Sequence, residues 1–236
     1  MNRVIGGVTV PRFRNVMTEL ADALFPRFCV GCGKEGHILC TTCAETWVPD
    51  GGADAICPIG KDGQTDVAHV WFLAHYADPI ARNLLTTWKY HFDETAWATL
   101  AQRLHSSLPL LHLRAAMASI DAVVPVPLSR ERRAERGFDQ AAIIAQWIAS
   151  GIHRPVAHLL TRKFTTGHQA ERSTGERKRA MADSPFVLRN IGGGPIPRRV
   201  LLVDDVWTTG ATMQAASHTL AAAGVEHIQP MTVLKG

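Results

Sequence analysis

An α/β fold, with a mostly parallel sheet flanked by helices and a small cysteine knuckle ahead of it, is what this sequence predicts. Three observations carry the prediction. From His69 onward, short apolar runs that read as strands alternate with amphipathic runs that read as helices, the pattern of βαβ units. The apolar run 200–203 leads directly into Asp204, Asp205 and a small-residue turn that opens a helix, and open parallel sheets bind ligands at such strand-to-helix edges. All five cysteines fall before residue 58, four of them spaced C-x2-C-x7-C-x2-C.

Length and composition set the frame. A chain of 236 residues suits one medium domain with a small appendage. With 46% hydrophobic residues it can build a sizeable core, which argues against global disorder. The formal charge of +4 permits anionic ligands without demanding nucleic acid. No apolar run reaches the roughly 18–20 residues of a membrane span. Pro11, Arg12 and Arg14 interrupt the stretch that a signal peptide would need. The expectation is a cytoplasmic protein with no membrane insertion.

The elements follow in chain order. Phe13, Val16, Met17, Leu20, Ala21, Leu24 and Phe25 recur at helical spacing and predict an amphipathic helix that stops near Pro26. Its polar face is mixed rather than basic, which favours packing on its own domain over a membrane surface. Cys29 and Cys32, then Cys40 and Cys43, present two pairs of sulfurs to one ion. Disulfides are disfavoured in the cytoplasm, and four thiolates close a tetrahedral zinc site, so the knuckle reads as structural. A thioredoxin-type redox motif is the alternative, but no βαβ unit surrounds either pair. His37 lies between the pairs and could replace one sulfur; with four cysteines it reads as a bystander.

Residues 1–50 thus form the helix and knuckle, and the glycine- and proline-rich residues 51–68 read as a linker. Residues 69–236 form the α/β domain. Within it, residues 69–76 read as a strand and Asp78-Pro79 as a helix start, with Ile80, Leu84 and Trp88 on one face. A second helix covers 94–107. A buried strand from 121 must end near Pro125, because proline cannot donate to a central ladder. Asp139 caps a helix over 140–149. Residues 156–160 are a short apolar segment, 186–188 a short strand, and the strand at Val200, a helix over 211–223 and a strand over 225–233 complete the pattern.

The turn Thr208-Thr209-Gly210-Ala211-Thr212 offers backbone N–H groups and a helix N-terminus, a setting for phosphate. Gly210 lets the backbone approach it closely. Two adjacent carboxylates would repel a bare phosphate, so Asp204 and Asp205 make sense as acceptors for hydroxyls. A ligand with both, a sugar phosphate, fits. Arg130, Arg132, Arg133 and Arg136 lie beside the Pro125–Pro127 turn, either as anion contacts or as a solvated helix start salt-bridged by Glu131 and Glu135. Residues 162–179 hold six basic residues against Glu171 and Glu176, with no hydrophobic period. They read as a basic flap closing over a reactive ligand, or as a disordered surface loop.

Asp204-Asp205 followed by Val-x-Thr-Thr-Gly-Ala-Thr resembles the 5-phosphoribosyl-1-pyrophosphate (PRPP) loop of type I phosphoribosyltransferases. The resemblance implies that Asp204 and Asp205 hold the ribose hydroxyls and that Thr208, Thr209, Gly210, Ala211 and Thr212 wrap the 5-phosphate. Trp207, at a variable position, reads as packing. Pro125, Val126, Pro127 and Leu128 resemble the pyrophosphate loop. Lys163, Gln169, Arg172 and Arg177 fall in a segment similar to the flexible loop. With the Leu-Phe-Pro helix end before Cys29, the cysteine pairs, Trp88-Lys89-Tyr90 and Arg136-Gly-Phe-Asp-Gln140, these pieces resemble the ComF (ComFC) family in its order over nearly the whole chain. That family joins a zinc knuckle to a type I phosphoribosyltransferase domain.

Three departures matter. Only Cys57 remains of a second linker cysteine pair, with Gly60 at its partner's place, so one zinc is expected. Asp139 stands where the family usually has asparagine, and Arg177-Lys-Arg-Ala-Met181 replaces Arg-x-x-Asn-Val/Met.

The resemblance implies PRPP, Mg²⁺ held mainly by ligand oxygens, and a nitrogen nucleophile such as a nucleobase attacking C1 as pyrophosphate leaves. No protein nucleophile is needed. Competence, the other association of the family, implies PRPP sensing or single-stranded DNA handling during uptake, with competence-machinery proteins as partners. Trp88, Tyr90 and Trp207 are the aromatics available for stacking. An interaction module with a vestigial pocket is the third class. The sequence leaves open whether the protein is catalytic and what Cys57 does.

Overall fold

The computed structural model describes residues 4–5, 8–9, 26–59, 67–107, 117–163, 184–189 and 194–236. The helix expected over 13–25, and Gln169, Arg172 and Arg177 of the expected flap, lie outside the described residues. The chain divides into two compact units, Met1–Trp47 and Val48–Gly236.

In the first unit, β1 (Val4–Ile5) pairs antiparallel with β2 (Val8–Thr9). A tight knuckle then leads to the short helix α1 (Thr41–Thr46). Gly33 (φ +74°) and Gly36 (φ +113°) turn the knuckle in the left-handed region, where glycine carries no steric penalty. Cys29 N–H donates to the Lys34 carbonyl and Gly33 N–H to the Cys29 carbonyl, at 2.9 and 2.8 Å. Cys40 caps α1, its Sγ accepting from the Cys43 N–H.

The second unit is built on a sheet in the order β3 (Gly52–Pro58), β4 (Val67–His75), β9 (His227–Lys235), β8 (Arg199–Trp207), β5 (Ala122–Pro125). Strands β4, β9, β8 and β5 run parallel; only the edge strand β3 is antiparallel. The mostly parallel α/β sheet read from the sequence is the fold. The linker reading of its start is corrected. Residues 52–58 are a strand whose inward residues, Ala55 and Cys57, are small, so its alternation hides among glycines and prolines. Edge placement tolerates Pro58.

Helices cover both faces. On one side lie α2 (Pro79–His91), α3 (Glu94–Ser107) and α5 (Gln140–Ile152), joined by aromatic contacts. Trp88 stacks on Trp97 at 4.5 Å, and Trp97 meets Trp147 edge-on at 5.7 Å. On the other side, α6 (Ala211–Ala222) and the hairpin β6 (Leu160–Arg162)–β7 (Phe186–Leu188) pack on Val124, Val200 and Leu202 through Met213, Leu220 and Phe186. Strand β8 is buried on both faces, as a central parallel strand should be, and this explains its uninterrupted apolar run. Asp78 caps α2 through Oδ1, accepting from Ile80 and Ala81 N–H at 2.8 and 3.1 Å, with Pro79 in the first turn.

Candidate functional site

Strand β8 runs four residues beyond the apolar stretch and ends at Trp207, so Asp204 and Asp205 lie within it rather than after it. Asp204 is in register with Thr232 of β9. At the carboxyl edge the chain turns through Thr208 and Thr209 into α6. Asp204, Thr208, Thr209, Gly210, Ala211, Thr212, Met213 and Thr232 line a recess of about 30 Å³ there. A water needs at least ~10–15 Å³ by the same measure, so the recess holds a small group rather than a whole sugar.

The donors of the recess are backbone ones. Gly210 precedes α6 and gives it no side-chain cap; only Thr209 Oγ1 reaches back, accepting from the Ala211 N–H at 3.5 Å. An uncapped first turn with the positive end of the helix dipole favours an anion. The threonine hydroxyl of Thr232, 1% exposed, finds no hydrogen-bond partner among the described residues. The need for glycine at 210 differs from the sequence reading. Its φ is +78°, and a Cβ there would lie 2.4 Å from Trp207 Cη2. The glycine is required by the backbone and by the buried Trp207 ring packed over it.

The acid pair has a partner that the sequence reading assigned no role. Lys89 Nζ of α2 sits 2.7 Å from Asp205 Oδ2, with side chains only 10% and 15% exposed. Lys89 falls four residues after Leu85 and eight after Ala81, on the apolar stripe of α2, so its ammonium is carried inward to the sheet edge. A lysine at a core position of an amphipathic helix signals a buried carboxylate, and that signal was legible. Asp205 N–H donates to Asp204 Oδ1 at 2.8 Å. One oxygen of each carboxylate is thus engaged within the fold. Burial, reinforced by the neighbouring Asp205 charge and by Asp139, pushes the Asp204 carboxyl up to about 7 against the pull of Lys89 and the Asp205 N–H.

Two sequence motifs far apart in the chain meet beside this pair. Trp88 packs on Phe138 at 5.3 Å and Phe92 meets Phe138 at 6.1 Å. Arg136 lies over the Tyr90 ring at 5.2 Å and donates to Gln140 Oε1 at 3.1 Å. Asp139 caps α5 through the Ala142 N–H. The arginine-rich segment is α4 (Arg130–Arg136), a capped and solvated helix between Ser129 and Gly137, with a long Arg133–Asp139 contact of 3.9 Å. Tyr90 and Phe92 are 60% and 53% exposed, whereas Trp88 and Trp207 are buried and offer no stacking face.

Other expected site residues stand further off. Pro125 and Val126 are buried and Pro127 and Leu128 half-buried, at the carboxyl end of β5, one strand from the acid pair and not among the residues lining the recess. Lys163 lines a separate groove of about 450 Å³ between β7 and α6.

In the first unit, Sγ atoms of Cys29, Cys32, Cys40 and Cys43 lie within 4.8 Å of one another. The Cys32–Cys40 separation is 3.6 Å, close to the roughly 3.8 Å edge of a tetrahedron with Zn–S bonds of about 2.3 Å. The Cys40 N–H donates to Cys29 Sγ at 3.3 Å, a bond that suits a thiolate. Burial opposes ionisation of Cys29, but N–H groups of Cys40, Cys32 and Gly31 outweigh it and bring the thiol down to about 6. The quartet can hold one structural metal ion such as zinc. His37 is exposed and outside the quartet, and Cys57 is buried in the sheet core of the second unit.

No family model matches the chain. Individual relatives do. Competence protein F of Haemophilus influenzae is 26% identical over 208 residues, covering 87% of this chain and 82% of that protein. The DNA utilization protein YhgH of Escherichia coli O6:H1 is 25% identical over 85% of this chain and 87% of its own length. Competence protein ComFC of Bacillus subtilis is 33% identical over 102 residues, 43% of this chain and 39% of that protein.

The chain is similar to the ComF competence proteins.

Among the described residues, no helix is long and apolar enough to cross a membrane.

Proposed function

We propose that the Val48–Gly236 unit is a PRPP-binding, phosphoribosyltransferase-type domain. One observation carries the reading: a central parallel strand brings two adjacent carboxylates to the sheet edge, and the first of them, Asp204, lines a recess with an uncapped helix N-terminus. Hydroxyl acceptors beside an anion cradle match a phosphorylated sugar and match neither a bare phosphate nor a nucleobase. Asp204 and Asp205 take the ribose hydroxyls, and residues Thr208 to Thr212 take the 5-phosphate. Pro125–Leu128, with Lys163, Gln169, Arg172 and Arg177 of the flap, are the groups assigned to the diphosphate. Mg²⁺, when bound with the ligand, neutralises diphosphate charge and is held chiefly by ligand oxygens and water. Lys89 keeps the acid pair from repelling this polyanion.

In the catalytic form of the reading, the C1–O bond to diphosphate breaks and a nitrogen nucleophile forms the new C1–N bond, losing its proton. The test incubates zinc-loaded protein with PRPP, Mg²⁺ and each nucleobase in turn. Release of pyrophosphate together with nucleotide supports the transferase. Tight PRPP binding without turnover supports a sensor, and absence of PRPP binding overturns both.

A second reading rests on a different observation: exposed Tyr90 and Phe92 beside Arg136 and the α4 arginines, a stacking surface next to cations. With relatives named for competence and DNA utilization, this supports a cytoplasmic protein of DNA uptake that handles single strands, with competence-machinery proteins as partners. Tyr90→Ala should weaken oligonucleotide binding at all salt concentrations. Replacing an α4 arginine that neutralises a phosphate should lower the log–log salt slope by about 0.7. Salt-independent binding, or none, removes this reading and leaves the first intact.

A further inference from the structure

We propose that Thr232 is a ligand-contact residue: its hydroxyl donates to an oxygen of a phosphomonoester bound in the recess between β8, β9 and α6. The inference rests on the sugar-phosphate reading of the recess and adds to it a residue from a different strand. Thr232 stands on β9 among Met231, Val233 and Leu234, all buried and apolar. At such a position valine fills the same space with no polar atom, and a lone hydroxyl is a cost to the fold. Thr232 is 1% exposed, and its Oγ1 has no hydrogen-bond partner among the described residues.

Its placement says what the hydroxyl is for. The parallel register sets Thr232 beside Asp204, so both side chains leave the same face of the sheet. Both line the recess with the first turn of α6. Among the described residues Thr232 Oγ1 makes no hydrogen bond to either carboxylate, so the acid pair does not claim the hydroxyl in the free protein. A hydroxyl has a donor to offer, and the uncapped N–H groups across the recess are donors too. Donors converging from two elements on one small recess complement an acceptor-only group, which is what a phosphate presents. The Ser217 hydroxyl, also buried, offers a contrast: it lies against Cys57 in the core and away from the recess.

The test uses the full chain and the variants Thr232→Val, which keeps the shape, and Thr232→Ser, which keeps the hydroxyl. Thermal melts are recorded without ligand, and inorganic phosphate and ribose 5-phosphate are titrated by calorimetry. Thr232→Val should melt at the wild-type temperature or above it, and should lose about tenfold in affinity for both ligands. Thr232→Ser should bind within about threefold of wild type, a loss smaller than one hydrogen bond. Unchanged affinity in Thr232→Val overturns the proposal while leaving the sugar-phosphate reading in place. Joint loss of stability and affinity assigns the hydroxyl to a bond within the fold and overturns it as well. A loss confined to ribose 5-phosphate moves the contact to the sugar and overturns the phosphate assignment. Wild-type protein that binds neither ligand overturns the underlying reading together with the proposal.

Discussion

Replacing Asp204 by asparagine should separate the cost of the acid pair to the fold from its value to the ligand. The Asp204 carboxyl titrates at about 7 in the folded chain, because burial and the adjacent Asp205 charge disfavour its anion. In the unfolded chain it titrates near 3.9. The folded state therefore holds a proton that the unfolded state has released between those values. Stability from this group is fully present below about pH 4 and is lost as pH rises to 7. Three decades of proton affinity correspond to roughly 4 kcal/mol, a ceiling for a group that shares its site with Asp205.

Urea denaturation of wild type and Asp204→Asn from pH 5 to pH 8 reads this directly. The variant has no proton to lose, so its stability relative to wild type should climb through that window by about 1–3 kcal/mol. At pH 7.5 the same variant should bind ribose 5-phosphate about 10- to 150-fold more weakly, the equivalent of one hydrogen bond to a charged group. Inorganic phosphate should bind as before or slightly better, since it meets one charge less. Parallel stability profiles would refute the burial argument. Undiminished ribose 5-phosphate affinity would refute the assignment of Asp204 to the sugar hydroxyls.

Three further outcomes are expected. Lys89→Met leaves the buried Asp205 charge without its cation and should cost about 3–5 kcal/mol in denaturation experiments, with Lys89→Arg recovering part; a loss below about 1 kcal/mol would show the pair to be solvated. Gly210→Ala places a Cβ against the Trp207 ring at a positive φ and should cost about 1–3 kcal/mol. Combining it with Trp207→Phe, which lacks the clashing ring atoms, should recover part of that loss, and strict additivity of the two changes would remove the clash from the explanation. Metal analysis should find one zinc per chain, lost in Cys29→Ser without change in the melting of the Val48–Gly236 unit; zero or two would contradict the quartet.

Local chemistry was written in the sequence wherever a few consecutive residues decide it. Proline at 125 ends β5, Asp78-Pro79 starts α2, and the cysteine spacing brings four sulfurs together, because each depends on dihedral limits or on reach along a short chain. The apolar run ahead of Asp204 announced a central strand, since only a strand covered on both faces needs no polar side. Strand β3 was hidden because small inward residues give a weak alternation, and its edge position let glycine and proline remain.

What tertiary structure alone decided are the contacts between segments that the sequence keeps far apart. Lys89 meets Asp205 from a distant part of the chain, Arg136 stacks on Tyr90, and Thr232 stands beside Asp204, because the sheet order places β9 and β5 on either side of β8. Burial follows from the same packing. It turns Trp207 from an available aromatic into the wall against which Gly210 must fit, and it moves the proton affinity of Asp204 to near neutrality. Sequence names the groups that a site will use; the electrostatic and steric state of those groups depends on neighbours that only the folded chain supplies.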